Sequence, residues 1–274
     1  MFSLEKAEQV LYDTLALLGE SLDKMVLVGG WCPFLYAKYL WKIPIGNIPS
    51  TTDIDLGVRE TGSLRYNPTV YERLINHGYQ MIPVFDGEPE PMDFAFQENA
   101  LSMKVEFLST WELTDDTTER FLGRKVACHR IEAFEVLLQS PTITLTLPHS
   151  DKPIILRVPD PATYLYHKGI TFIQRQNKDK LEKDLRYIFH VLEMCPDRDA
   201  LIKKIVAWKG TDYFHMFQKN LKSYFGKPGA KGFQALRRQF AGVRDPRSLD
   251  PEISALFGPI LALFAPNRVN NAKF

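Results

Sequence analysis

The sequence predicts an α+β protein: a small mixed sheet flanked by helices in residues 1–158, followed by a mainly helical domain in residues 159–274. Short apolar runs of strand length alternate with stretches of helical spacing through the first part, the pattern of a sheet with helices packed on it. From Pro159-Asp160-Pro161 onward only helical spacing remains. A chain of 274 residues has room for one large domain or two ordinary ones.

The elements follow in order. Leu4, Ala7, Leu11, Leu15 and Leu18 recur every three to four residues, so Leu4–Leu18 reads as an amphipathic helix. Met25–Val28 is a short apolar strand that ends in Gly29-Gly30, and a helix follows from Pro33 to Trp41 with its proline in the first turn. Pro44, Gly46 and Pro49 make residues 43–50 a loop. Thr51–Val58 is a strand, Pro68–His77 a helix stopped by Gly78, and Tyr79–Phe85 a strand. An acidic turn, Asp86–Pro91, leads to strands Met92–Gln97 and Ser102–Leu108. A helix around Ile131–Gln139 precedes strands Ile143–Leu147 and Ile154–Val158, which extend the sheet or begin a second unit. Asp160 is placed to cap the next helix, which carries Lys168. In the helix after Asn177, Leu181, Leu185, Ile188 and Leu192 form the core face, with Lys180, Lys183 and Asp184 on other faces.

Asp53 and Asp55 are one residue apart on a strand, so their side chains share a face while Ile54 and Leu56 point into the core. Two carboxylates so placed suit Mg²⁺, a hard ion that takes one or two carboxylates together with phosphate oxygens and water. The strand-Gly29-Gly30-helix turn supplies the other half of such a site, because glycine lets backbone N–H groups approach a phosphate closely. A diglycine strand end, a helix and then an Asp-x-Asp strand together resemble the nucleotidyltransferase superfamily of DNA polymerase β.

That resemblance implies a Mg²⁺-dependent transfer of a nucleoside monophosphate from an NTP to an acceptor hydroxyl, with one or two ions held by Asp53, Asp55 and a third carboxylate. Glu106, on the strand Ser102–Leu108, fits the third position, with Asp93 in reserve. Gly29, Gly30, Thr52 and Lys168 form the implied nucleotide-binding set. The AbiEii-type toxin branch is the nearest match, through Lys168 and the stretch Lys183-Asp184-Leu185-Arg186-Tyr187. By that likeness Lys168 binds nucleotide phosphates, Asp184 orients the site, and an antitoxin is a possible partner. The chain departs from the branch at Trp31, where a serine is common, at Thr51-Thr52, where an arginine is common, and at Tyr187, where an aspartate is usual.

Bulk composition (45% hydrophobic, 24% charged) is that of a globular protein rather than a disordered chain. There is no apolar run of membrane-spanning length and no signal-peptide layout at the start, so the expected location is the cytoplasm. Cys32, Cys128 and Cys195 are odd in number and widely spaced, which argues against disulfides or a cysteine zinc site. The six histidines form no metal-ligand pattern.

Net charge is +1, but residues 201–247 hold eleven basic residues against two acidic ones, so this segment carries +9 and the rest −8. Aromatic residues from Trp208 to Phe240 interleave with it. Such a segment suits RNA, tRNA included, or another polyanion. The alternatives are a catalytically inactive nucleotide- or RNA-binding module, and a transferase for a small-molecule hydroxyl of the antibiotic-modifying kind. The glycine-rich Gly226–Gly232 lacks P-loop spacing and reads as an interhelical loop.

Overall fold

The computed structural model describes residues 3–46, 48–49, 51–59, 67–84, 92–98 and 101–264. The predicted acidic turn at residues 86–91 lies outside the described residues. The described residues form two compact units, residues 1–167 and 168–274. The division falls inside a helix rather than at the change in composition near residue 159.

Helix α1 (Leu4–Leu18) starts at Ser3, whose side chain accepts from the Lys6 N–H. Of its predicted stripe, Ala7, Leu11, Leu15 and Leu18 are buried and Leu4 is partly covered. One 3₁₀ segment leads to β1 (Met25–Val28), every residue of which is buried. The diglycine turn and Trp31 follow, then α2 (Cys32–Leu35), which widens into a π-helical stretch, Tyr36–Trp41. Strand β2 (Asp53–Val58) comes next.

Helix α3 (Val70–Asn76) is held by a capping box between Thr69 and Glu72. The backbone and hydroxyl of Thr69 hydrogen-bond the exposed Glu72 carboxylate and hold it below its ordinary pKa. Strands β3 (Gln80–Pro83), β4 (Met92–Glu98) and β5 (Leu101–Ser109) follow. Next come α4 (Asp115–Leu122) and β6 (Cys128–Arg130), neither of which the sequence pattern predicts. Helix α5 (Glu135–Gln139) precedes β7 (Thr142–Leu147) and β8 (Ile154–Pro159), which pair only with each other as a separate ribbon.

The main sheet runs β1-β2-β5-β4-β3, with β6 joined to β5. β1 is antiparallel to β2, β2 parallel to β5, and β4 antiparallel to both β5 and β3. Ile54, Leu56, Val105 and Phe107 are wholly buried on one face. Asp53, Asp55, Lys104 and Glu106 lie on the opposite face and are only partly covered. One end of that second face is sealed: Val26, Val28, Phe134, Leu137 and Leu138 form an apolar cluster there. Gly57 makes the seal possible. A Cβ at this position would stand 3.0 Å from both Leu138 Cδ2 and Phe134 Cζ.

Asp160 caps α6 (Pro161–Thr171) as predicted, its carboxylate accepting from the Ala162 N–H at 2.9 Å. The second unit continues through α7 (Lys178–Met194), α8 (Arg198–Val206), α9 (Asp212–Phe225), α10 (Lys231–Gln239) and α11 (Pro246–Ala262). Its core is aromatic: Phe225 stacks on Phe257 with centroids 3.7 Å apart, and Phe233 and Phe217 are buried beside further rings.

Gly57→Val would drive two extra methyls into Phe134 and Leu138. A loss of about 1–3 kcal/mol is expected, from the usual cost of overpacking, read as a lower urea midpoint at unchanged m-value.

Candidate active site

The site is built by strand register. In the parallel β2–β5 pair, Asp53 lies beside Lys104 and Asp55 beside Glu106. In the antiparallel β1–β2 pair, Val28 lies beside Asp55, which brings Gly29 to the same carboxylate. Gly29 has φ +72°, and a Cβ built on it would collide with Asp55 Oδ2 and stand 2.6 Å from Asp55 Cγ. The second aspartate therefore occupies the space a side chain at position 29 would need. Thr51, buried just before the strand, accepts from the Asp53 N–H at 3.3 Å. The Thr52 carbonyl accepts from the Lys104 N–H at 2.8 Å and starts the β2–β5 ladder.

Three further side chains rise from the same face. Asp93 on β4 is 1% exposed. Lys104 Nζ stands 2.7 Å from Asp93 Oδ2 and 2.7 Å from Glu106 Oε1. His129 on β6 bonds Asp93 Oδ1 through Nε2 at 2.9 Å. Burial alone would raise the Asp93 pKa, but the hydrogen bonds and charges of His129 and Lys104 outweigh it and hold the carboxyl below its ordinary value. Asp93 in turn raises the His129 imidazole, against the opposing effect of burial. Burial lowers the Lys104 ammonium, but its bonds to Asp93 and Glu106 prevail and leave it raised. Ligand atoms of Asp93, Glu106 and His129 lie within 4.8 Å of one another, close enough to surround a cation.

The predicted Lys168 and Asp184 fall in the second unit and meet each other. Lys168 Nζ donates to Asp184 Oδ1 at 2.6 Å, and Arg175 Nε to Asp184 Oδ2 at 2.9 Å. Asp184, off the predicted core stripe of α7, is buried as well. Burial opposes its ionisation, but Lys168 and Arg175 more than offset this and depress its pKa. The chain brings Gly29, Asp53, Asp55 and Glu106 together in the first unit, and Lys168 with Asp184 in the second.

Sequence reasoning missed Lys104 and His129. Lys104 has one signal in hindsight, the Lys-x-Glu pattern that puts it on the face of Glu106. His129 has none, because β6 is three residues long and lacks any alternation.

A family model described as nucleotidyltransferase matches residues 10–208, most of the chain and all of the sheet. The chain belongs to that nucleotidyltransferase family. Among solved structures, an antigenic nucleotidyltransferase-like protein from Paracoccidioides brasiliensis is similar over 94% of this chain and 99% of its own, at 14% identity and a TM-score of 0.45. No curated protein matches this chain.

In this nucleotidyltransferase no described helix is long and apolar enough to cross a membrane. The basic segment divides by residue type. Arg237 pairs with Asp250, Arg238 with Glu182, Arg244 with Glu193 and Glu252, and Arg247 with Asp245. Lys203, Lys209, Lys219, Lys227 and Lys231 are exposed, and no ion pair holds them among the described residues. Phe214, Phe217, Phe225, Phe233 and Phe240 are buried in the core and offer no stacking platform to a base.

Lys168→Met leaves the buried Asp184 with one cation. A loss of about 3–5 kcal/mol is expected for breaking such a pair, measured by urea unfolding. The His129–Asp93 bond gives a second expectation. A raised imidazole contributes stability in full below its unfolded pKa of about 6.5, and loses it as pH rises through the higher folded value. The wild-type Tm should therefore decline above about pH 6.5, and His129→Gln should remove that part of the decline.

Proposed function

We propose that the first unit transfers a nucleoside monophosphate from an NTP to a hydroxyl acceptor with the help of Mg²⁺. The observation that carries the reading is the contact of Asp55 with the Gly29 bend, on the face that also bears Asp53 and Glu106. The donor set fits a hard divalent cation, being three carboxylates with oxygen ligands on neighbouring strands. Asp53, Asp55 and Glu106 would hold one or two such ions. When bound, Mg²⁺ offsets the charge that develops on the transferred phosphoryl group and on the leaving pyrophosphate.

Gly29, at φ +72°, bends the chain beside the Asp55 carboxylate, and on this reading the backbone N–H groups of the bend go to the triphosphate. Thr52 directly precedes Asp53 and Gly30 directly follows Gly29, and the same reading gives both to the nucleotide edge. The acceptor oxygen bonds to the α-phosphorus as the bond to pyrophosphate breaks. Pyrophosphate leaves with that electron pair, and the hydroxyl proton passes to a base, the part Glu106 plays where it is not itself a metal ligand. Positioning and electrostatics supply most of the rate in such chemistry.

RNA is the acceptor class favoured by the exposed lysines, which can contact phosphates without reading sequence. The AbiEii-type reading gives Lys168 and Asp184 a phosphate-binding and orienting role, a toxin function and an antitoxin partner. In the structure the two are buried and joined to each other, so that role requires a phosphate to draw Lys168 from Asp184.

The test supplies Mg²⁺ and each α-labelled NTP, with and without total tRNA. Label should pass to an acceptor, and Asp53→Ala with Asp55→Ala should lower transfer by about 10³-fold or more, as expected when the metal's charge stabilisation is lost. NTP binding with no transfer under any condition would reduce the protein to a binding module.

A further inference from the structure

Four carboxylates, Asp53, Asp55, Asp93 and Glu106, share one sheet face, and among the described residues Lys104 pairs with Asp93 and Glu106 while His129 hydrogen-bonds Asp93. Strands in a sheet lie only about 4.8 Å apart, so the charges repel one another unless a cation stands between them. Lys104 is that cation. It stands at 2.7 Å from Asp93 on one side and at 2.7 Å from Glu106 on the other.

We propose that Lys104 is a resident counter-ion that holds Glu106 against Asp93, and that a divalent ion entering beside Asp53 and Asp55 takes Glu106 from it. The inference rests on the reading of Asp53, Asp55 and Glu106 as the metal set.

The two partners of Lys104 are not equivalent. Asp93 is 1% exposed and is held from its other oxygen by His129, so it is fixed and must stay neutralised. Glu106 is 24% exposed, on a longer side chain, and among the described residues its hydrogen bond is the one from Lys104. Lysine suits an exchange of this kind. Its ammonium is a compact charge with three donors on a flexible stem, so it can release one carboxylate and keep the other. Register places Lys104 next to Asp53, so the released ammonium stays beside the nucleotide edge. Lys104 acts through Glu106 and is a positioning residue.

The exchange makes metal affinity a competition. Removing Lys104 should tighten the binding of Mn²⁺, used as a spectroscopic probe, by about tenfold, the order expected for loss of one charge-assisted hydrogen bond. The gain must require Glu106, because Glu106 is the ligand set free.

The experiment is a double-mutant cycle on Mn²⁺ binding to the full chain without nucleotide, followed by electron paramagnetic resonance and calorimetry. Lys104→Met and Lys104→Gln should both bind Mn²⁺ more tightly than wild type, the glutamine variant keeping a donor for the buried Asp93 should the methionine variant fail to fold. Lys104→Arg should stay near wild type. In a Glu106→Gln background the Lys104 substitutions should have no effect. An equal gain in that background would mean a through-space charge effect and overturn the proposal, as would unchanged or weaker binding in the folded Lys104 variants. Mn²⁺ binding that survives Asp53→Asn with Asp55→Asn would overturn the underlying metal reading instead, and the exchange with it.

Discussion

The parallel pairing of β2 with β5 is the constraint on which the first unit depends. It is a backbone ladder, indifferent to side-chain charge, yet it puts Asp55 beside Glu106 and Asp53 beside Lys104. Because strand side chains alternate, the same register that sends Ile54, Leu56, Val105 and Phe107 into the core forces the charged set outward together. A slip of one residue would bury the acids and expose the core. The apolar layer therefore enforces the geometry of the acidic face, and the cost of gathering the acids is met by Lys104 and His129.

The face is also bounded. At one end Gly57 lets Phe134 and Leu138 press onto the sheet. At the β1 side Gly29 leaves room for the Asp55 carboxylate. These two glycines do opposite work: one admits hydrophobic cover, the other admits a charge.

Much of this was legible from residue order. Period-two alternation in Asp53–Val58 and the diglycine stop after Val28 are local signals, and both strands form where those signals place them. Three of the four stripe residues of α7, Leu185, Ile188 and Leu192, are buried, and Leu181 is partly covered. The α4 helix was missed because its first turn is a run of polar residues, although Thr114 caps it. The extent of β7 and β8 was legible, but not that they pair apart from the main sheet, since pairing depends on distant partners. The burial of Asp184 was hidden for a related reason. A charged residue beside a helical stripe reads as solvated, and only the tertiary structure brings Lys168 and Arg175 to neutralise it in the interior.

The helical unit separates two kinds of cation that a net-charge count merges. Guanidinium groups lie against carboxylates and rings: Arg186 and Arg244 each sit 4.7 Å from the Phe240 centroid. The ammonium groups of Lys203, Lys209, Lys219, Lys227 and Lys231 face water. In residues 201–247 the paired arginines are thus the mortar and these five lysines the paint, while Lys168 is walled into the interior. Over evolutionary time the outer coat can be recoloured to suit whatever polyanion it meets, while the masonry beneath keeps its shape.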